Sequence, residues 1–262
     1  MNEGNRRMEL LGSAPIPKAL LAMGLPAMIG MMINALYNLV DAYFVGGLGT
    51  SQMGAISVAF PLGQIVAGLG LLFGNGAASY ISRLLGYGEK ETANKAASTA
   101  LYGSLLAGAV MIVCALLFLE PVLILLGATE SILPYALAYA GIYTASSIFN
   151  VFNVTMNSIV TSEGAARTTM CALMAGAVLN IVLDPVFIYV LGVTGAATAT
   201  AISQAVSALV YLRYVLRRES VFTFRVQDCC FTGKIISEIM KVGIPTLVFQ
   251  LLTGLSITLI NL

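Results

Sequence analysis

Long runs of apolar residues, separated by short polar or glycine-rich breaks, dominate the chain. They extend from about Leu20 to Val45, Met53 to Ile81, Ala96 to Leu119, Pro134 to Val160, Thr168 to Leu191 and Ala196 to Leu216. A seventh begins near Ile235 and continues to Leu262. Each is at least as long as the roughly 20 residues that a helix needs to cross bilayer hydrocarbon. The pattern predicts an all-α polytopic membrane bundle with seven spans. Spans one and two, and spans five and six, are joined by short glycine-rich turns without charge. Spans two and three are joined by the polar segment Arg83–Lys95, and six and seven by a longer charged connector.

Composition narrows the classes. Of 262 residues, 58% are hydrophobic and only 10% charged, whereas soluble domains carry about 25% charged residues. A soluble enzyme, a disordered tail and a fibrous protein are excluded. With a net charge of +1 and 13 Lys and Arg, no basic stripe for nucleic acid can be assembled. The chain has no His, which removes His-ligated metals and Ser-His or Cys-His catalysis. Cys114 and Cys171 fall in apolar runs and Cys229-Cys230 in the connector, a spacing unlike a disulfide framework or a four-cysteine zinc site.

The basic residues give orientation. Arg6, Arg7 and Lys18 precede span one; Arg83, Lys90 and Lys95 follow span two; Arg167 follows span four. Arg213, Arg217, Arg218, Arg225, Lys234 and Lys241 surround the six-to-seven connector, and the opposite connectors carry none. By the positive-inside rule the N-terminus and the even connectors face the cytoplasm. Residues 1–19 read as a cytoplasmic segment rather than a signal peptide. Residues 20–216 read as a six-helix lobe and 217–234 as a cytoplasmic connector. Residues 235–262 read as the first helix of a second lobe. Gly24-Leu25-Pro26 in span one and Gly243-Ile244-Pro245 in span seven lie at matching depth in spans of equal polarity, which suggests a parallel repeat. The expectation is a partial chain of a protein about twice this length.

Of the 12 acidic residues, ten fall in or beside the aqueous connectors and two, Asp41 and Asp184, do not. A carboxylate within a span costs roughly 2.5–3.5 kcal/mol on insertion scales and ordinarily faces a polar interior. On span one Asn34, Asn38 and Asp41 share a helical face, with Tyr37 one turn before Asp41. Asn180 and Asp184 are one turn apart on span five. Span four adds Asn150, Asn153 and Asn157, with Tyr135, Tyr139 and Tyr143. Such residues serve as interhelical glue worth about 0.6 kcal/mol each in one reading. Two carboxylates with stacked amides on separate helices fit a cation or proton site better.

Pro185 and Pro26 leave the carbonyls of Ile181 and Ala22 without their helical donors. Freed carbonyls beside carboxylates are oxygen-rich surroundings suited to hard cations. Pro26, near Gly24 and Gly30, also marks a candidate hinge, whereas Pro61 reads as an ordinary kink. Gly70 and Gly74 form a G-x-x-x-G suited to close helix packing. Gly86 and Gly88 lack the strand and third glycine of a nucleotide fingerprint. Asn153-Val154-Thr155 is a sequon placed mid-span. The Met and Phe residues read as bundle packing.

Leu36-Tyr37-Asn38-Leu39-Val40-Asp41, followed by Phe44-Val45-Gly46, resembles the first-helix signature of the multidrug and toxic compound extrusion (MATE) transporters. So does Ser82-Arg83-Leu84-Leu85-Gly86-Tyr87-Gly88 after span two. Asn180-Ile181-Val182-Leu183-Asp184-Pro185 is similar to that family's fifth-helix motif, and Gly192-Val193-Thr194-Gly195-Ala196-Ala197-Thr198-Ala199-Thr200 to its sixth-helix entry. The resemblance implies twelve helices in two six-helix lobes around a cleft, with a cation site inside the N-terminal lobe. By position that site comprises Asp41, Asn180, Asp184 and Thr200, with Tyr37 and Tyr139 as hydrogen-bonding neighbours. It further implies an antiporter, not an enzyme, in a bacterial inner membrane. Such an antiporter exports amphipathic, often cationic, organic compounds in exchange for Na+ or H+, with no cofactor and no nucleic-acid partner. A Na+ ion would be held at Asp41, Asn180 and Asp184.

Two other readings remain beside it. A lipid-linked oligosaccharide flippase of the same two-lobe plan needs a strongly cationic central cavity, and every Lys and Arg here lies toward the cytoplasmic side. A membrane enzyme lacks a nucleophile-base pair or metal cluster, and a structural subunit has no need of two buried carboxylates.

Overall fold

The computed structural model describes residues 15–261, and the side chains of residues 18, 19 and 257–261 are outside that description. Arg6 and Arg7, and the side chain of Lys18, therefore lie outside the described residues. The described chain forms α1 (Ile16–Gly46), α2 (Thr50–Gly86), α3 (Lys90–Leu117), α4 (Leu119–Leu125), α5 (Leu133–Ser162), α6 (Ala166–Leu191), α7 (Val193–Leu216) and α8 (Gly233–Asn261). One 3-10 turn, Val226–Asp228, interrupts the connector before α8.

All seven expected spans are helices, and the apolar runs locate them to within a few residues, except where helices continue into polar sequence. Six of the long helices are apolar enough to cross a membrane by length and composition. The other, α5, has 30 residues but is diluted by Thr144, Ser146, Ser147, Asn150, Asn153, Thr155, Asn157 and Ser158. Its position explains that composition. It packs along α2 and against α3, α4 and α7, and Thr144, Ser147, Asn153 and Thr155 are buried. A central helix meets neighbouring helices rather than lipid, so polar residues on it find partners.

The third apolar run extends to Leu119, but the helix breaks at Phe118 and the short α4 follows. Pro121 is the physical reason. It has no N–H for the carbonyl of Leu117 and its ring crowds the preceding turn. Leu119 and Leu123 of α4 are buried against Ala136 and Ala140 of α5.

Interhelical packing relies on small residues. A Cβ at Gly70 would meet Val154 at 2.8 Å, and one at Gly74 would meet Ser158 Oγ at 2.9 Å, so the G-x-x-x-G of α2 seats α5. A second seam was not evident from the sequence pattern. On another face of α2, Gly76 lies against the backbone carbonyl of Ile239, and Gly243 of α8 lies against the carbonyl of Leu72. The two backbones thus approach without side chains between them. Along the same seam Arg83 Nη2 bonds Glu238 Oε2 at 2.9 Å, Glu238 also pairs with Lys241, and Gln250 donates to Gln64.

The connector is strapped to the bundle. Thr223 N–H donates to Asn94 Oδ1 at 2.8 Å, and Asn94 Nδ2 donates to Asp228 Oδ2 at 2.8 Å. Tyr102 donates to the Phe224 carbonyl at 2.9 Å. Phe222 and Phe224 are buried in the main apolar core with Ile81, Leu84, Met156 and Ile239.

Candidate functional site

The site arises where α1, α5, α6 and α7 converge. The glycine-rich turn between α6 and α7 sets its outer edge. Gly192, at φ +62°, ends one helix and begins the next, a left-handed conformation that a side chain would strain. Gln52 Oε1, from the first turn of α2, accepts the Val193 N–H at 3.1 Å and satisfies an amide at the start of α7. Beneath this turn Val45, Ile188 and Ala196 form a buried apolar plug with Tyr139 packed on it.

Below the plug lies the acidic centre. Asp184 is fully buried and Asn180 is 2% exposed. Asn180 Nδ2 donates to Asp184 Oδ1 at 3.1 Å. Asp184 Oδ2, Asn180 Oδ1 and Asp41 Oδ1 are buried with no hydrogen-bond partner. Asp41 and Asp184 interact electrostatically with each other, and both act on Tyr37 and Tyr139. Tyr139 stacks on Tyr143 with centroids 5.8 Å apart and planes 12° from parallel. Helices α1, α5 and α6 therefore bring Tyr37, Asp41, Tyr139, Tyr143, Asn180 and Asp184 together.

A buried acceptor without a donor costs about 1–3 kcal/mol, more when charged. Three acceptor oxygens on residues that these helices bring together are thus left unsatisfied, a deficit that a cation or protons would meet. Among the described residues no group of three or more His, Cys, Asp or Glu is arranged to hold a metal. Any cation here would be held by two carboxylates assisted by neutral oxygens.

Adjoining this centre is a cavity of ≈ 540 Å³ whose lining residues are all uncharged. Pro26, Asn34, Tyr37, Asn180 and Thr200 all line it, so Thr200 shares a wall with Asn180. Asn150, Asn153 and Asn157 of α5 line the opposite side. Asn150 Oδ1 is buried there without a partner, while Asn153 Nδ2 donates to Gln204 Oε1 at 2.7 Å.

The expected polar face of α1 divides in two. Tyr37 and Asp41 turn toward the bundle. Asn34 and Asn38 are exposed, and Asn38 Nδ2 donates to Asn34 Oδ1 at 2.8 Å. Helical spacing put all four residues within one sector, but α1 leans on α6 through Gly30, which selects the Tyr37 edge of that sector. Asn38 is thus placed outside the acidic centre. Pro26 is buried at the cavity wall, and α1 runs continuously through it.

The family match follows that geometry, because it covers the segment from the cavity wall to the acidic centre. Residues 26–186 match the description MatE. The chain belongs to the MatE family. Among curated relatives, the multidrug export protein MepA of Staphylococcus saprophyticus is 35% identical over 94% of this chain and 55% of its own length. MepA of Staphylococcus aureus strain MRSA252 is 34% identical over 95% of this chain and 56% of its own. Among solved structures, a multidrug resistance MATE transporter in an outward-facing conformation has a TM-score of 0.87 at 34% identity, covering 93% of this chain and 55% of that one. A MATE P26A mutant gives 0.89 at 33% identity, with 93% and 55% covered. This MatE chain thus spans about half the length of the relatives it matches.

One acidic residue of this MatE chain escaped the sequence reading. Glu163, counted among the aqueous connectors, is 1% exposed. Its Oε1 accepts the Tyr214 hydroxyl at 2.6 Å, and its Oε2 accepts Ser220 Oγ at 2.9 Å and the Val221 N–H at 2.8 Å. It fastens the α5–α6 turn to the end of α7 and the start of the connector. A glutamate followed by glycine in a short turn carries no pattern that separates it from a solvated loop residue.

Proposed function

We propose that this chain is the N-terminal lobe, with the first helix of a second lobe, of a cation-coupled antiporter that exports amphipathic and cationic organic compounds across a bacterial inner membrane. Its N-terminus faces the cytoplasm. Na+ or H+ is the coupling ion, held by Asp41 and Asp184 with the oxygens of Asn180 and Thr200. The observation that carries this reading is the trio of buried, unpartnered oxygens on Asp41, Asn180 and Asp184.

Tyr37 and Tyr139 flank the carboxylates and supply hydroxyls for their charged or protonated forms. The uncharged cavity beside them is of a size that holds an organic substrate. Because Asn180 and Tyr37 belong to both the acidic centre and the cavity wall, ion occupancy changes the surface that the substrate meets. The coupling ion drives export only through unequal affinity for the two conformations of the full transporter. Pro26, which has no N–H for the Ala22 carbonyl, is the place where α1 bends between them. The flippase alternative requires a cationic cavity for pyrophosphate, and the neutral lining weighs against it.

Thermal stability of the purified chain in detergent, with Na+ titrated against K+ at constant ionic strength, tests the reading. Stabilisation by Na+ in the wild type but not in Asp41→Asn is the outcome expected of a sodium site. A pH-dependent stability that Asp41→Asn removes, without a Na+ effect, assigns protons instead. If a folded protein responds to neither ion, the site assignment fails.

A further inference from the structure

Remote from the acidic centre, a second cavity opens between α6 and α7 where the α5–α6 turn meets the end of α7. It has a volume of ≈ 230 Å³, and three of its lining residues are Arg167, Arg213 and Arg217. The three arginines are exposed, and none is ion-paired with a described residue. Glu219 also lines the cavity, so its negative charge offsets only part of theirs. The carboxylate of Glu163 lies behind the wall and is already engaged by Tyr214, Ser220 and Val221.

The rest of the lining is of a different kind. Cys171 and Val210 form an apolar wall, and Val178 and Leu209 are exposed large hydrophobics on the same two helices. A cationic mouth above an apolar interhelical groove is complementary to a molecule with an anionic head and hydrocarbon tails. A soluble anion would leave the groove bare. Basic pockets between helices at the membrane interface bind anionic lipid headgroups by this combination. Guanidinium forks, moreover, pair bidentately with phosphate oxygens.

We infer that the α6–α7 cavity is a binding site for an anionic phospholipid, its phosphate held by Arg167, Arg213 and Arg217 and its acyl chains laid along the groove past Cys171. The site is independent of the coupling-ion reading. It shares the Tyr214 wall with the Glu163 fastening, so an occupied site braces the attachment of the connector.

The test uses the whole chain in detergent, with phosphatidylglycerol or phosphatidylcholine added and retained lipid counted by native mass spectrometry. Phosphatidylglycerol is expected to bind the wild type about tenfold more tightly than it binds Arg213→Gln/Arg217→Gln. The control Lys90→Gln/Arg225→Gln removes the same charge elsewhere on that side and is expected to keep wild-type affinity. Equal loss in both double variants would mean diffuse attraction and overturn the proposal. Displacement of phosphatidylglycerol by equimolar inorganic phosphate would overturn the assignment to lipid.

A readout on the unaltered protein removes any dependence on variant folding. Phosphatidylglycerol is expected to slow maleimide modification of Cys171 several-fold relative to Cys114, both being free and exposed. Phosphatidylcholine is expected to leave that ratio unchanged. No selective protection of Cys171 would sink the inference.

Discussion

Asn180 donates its side-chain amide to one oxygen of Asp184 a single helical turn away, at 3.1 Å, and so leaves the other oxygen turned into a buried space with no donor. The pair is arranged to hold a carboxylate in place without satisfying it. Asn180→Ala removes the one donor that Asp184 has and is expected to lower stability by about 1–3 kcal/mol in the absence of a bound ion. If Asn180 Oδ1 is also a ligand, the stabilisation produced by Na+ falls together with the baseline. Thermal denaturation with and without Na+ separates the two effects. Full Na+ stabilisation in the variant would remove the Asn180 carbonyl from the ligand set.

The contact between α2 and α8 makes a second prediction. Gly76 and Gly243 each bring a Cα against the other helix's backbone, and a backbone cannot rotate aside as a flexible side chain can. Gly243→Val is expected to push α8 away at a cost of about 1–3 kcal/mol. Gly24→Val, which has open space around its Cβ position, is expected to be close to neutral in packing. A distance between spin labels on α2 and α8 reports the difference. An unchanged distance in Gly243→Val would mean that this seam does not hold the helix.

Glu163 carries the third prediction. Its carboxylate accepts from a hydroxyl of α7 and from two groups of the connector. Replacing it with alanine removes that acceptor from the Tyr214 hydroxyl and the Val221 amide and is expected to cost about 1–3 kcal/mol. Glu163→Gln keeps one acceptor oxygen and is expected to lose less. Limited proteolysis within residues 217–232 is the appropriate measurement, because loosening of the connector precedes loss of the bundle. Equal cleavage rates in wild type and Glu163→Ala would show that the connector is held by Phe222 and Phe224 instead.

These sites differ in how far they could be read from the sequence. Asp41 and Asp184 were legible because charge is expensive in a span, so their presence alone marks a polar interior. Their association with Tyr37 and Tyr139 followed from helix spacing and family resemblance. Asn38 did not follow, because spacing defines a sector of a helix and not which edge of it a neighbour covers. The seam of Gly76 and Gly243 was hidden for a related reason. Glycine is common in this chain, and only the three-dimensional contact distinguishes one that touches a backbone from one, such as Gly24, that touches nothing. The break at Phe118 was available in principle from Glu120-Pro121 but was masked because the apolar run itself continues past it to Leu119.

The connector supplies a pH prediction that is separate from the ion site. Asp228 Oδ2 accepts the Thr223 hydroxyl at 2.7 Å and Asn94 Nδ2 at 2.8 Å. These hydrogen bonds, first from Thr223 and then from Asn94, hold its carboxyl below the ordinary aspartate range. A carboxyl whose value is depressed in the folded state stabilises that state above its unfolded value of about 3.9, and the contribution is lost as pH falls through the lower folded value. Hydrogen exchange in residues 221–230, corrected for intrinsic rate, is therefore expected to be constant from neutral pH down to about 5 and to rise as the solution is made more acid. Asp228→Asn keeps an oxygen acceptor without the titration, so its exchange is expected to be faster at neutral pH and to lose this acid dependence. Persistence of the same acid-induced rise in Asp228→Asn would place the responsible proton on another group.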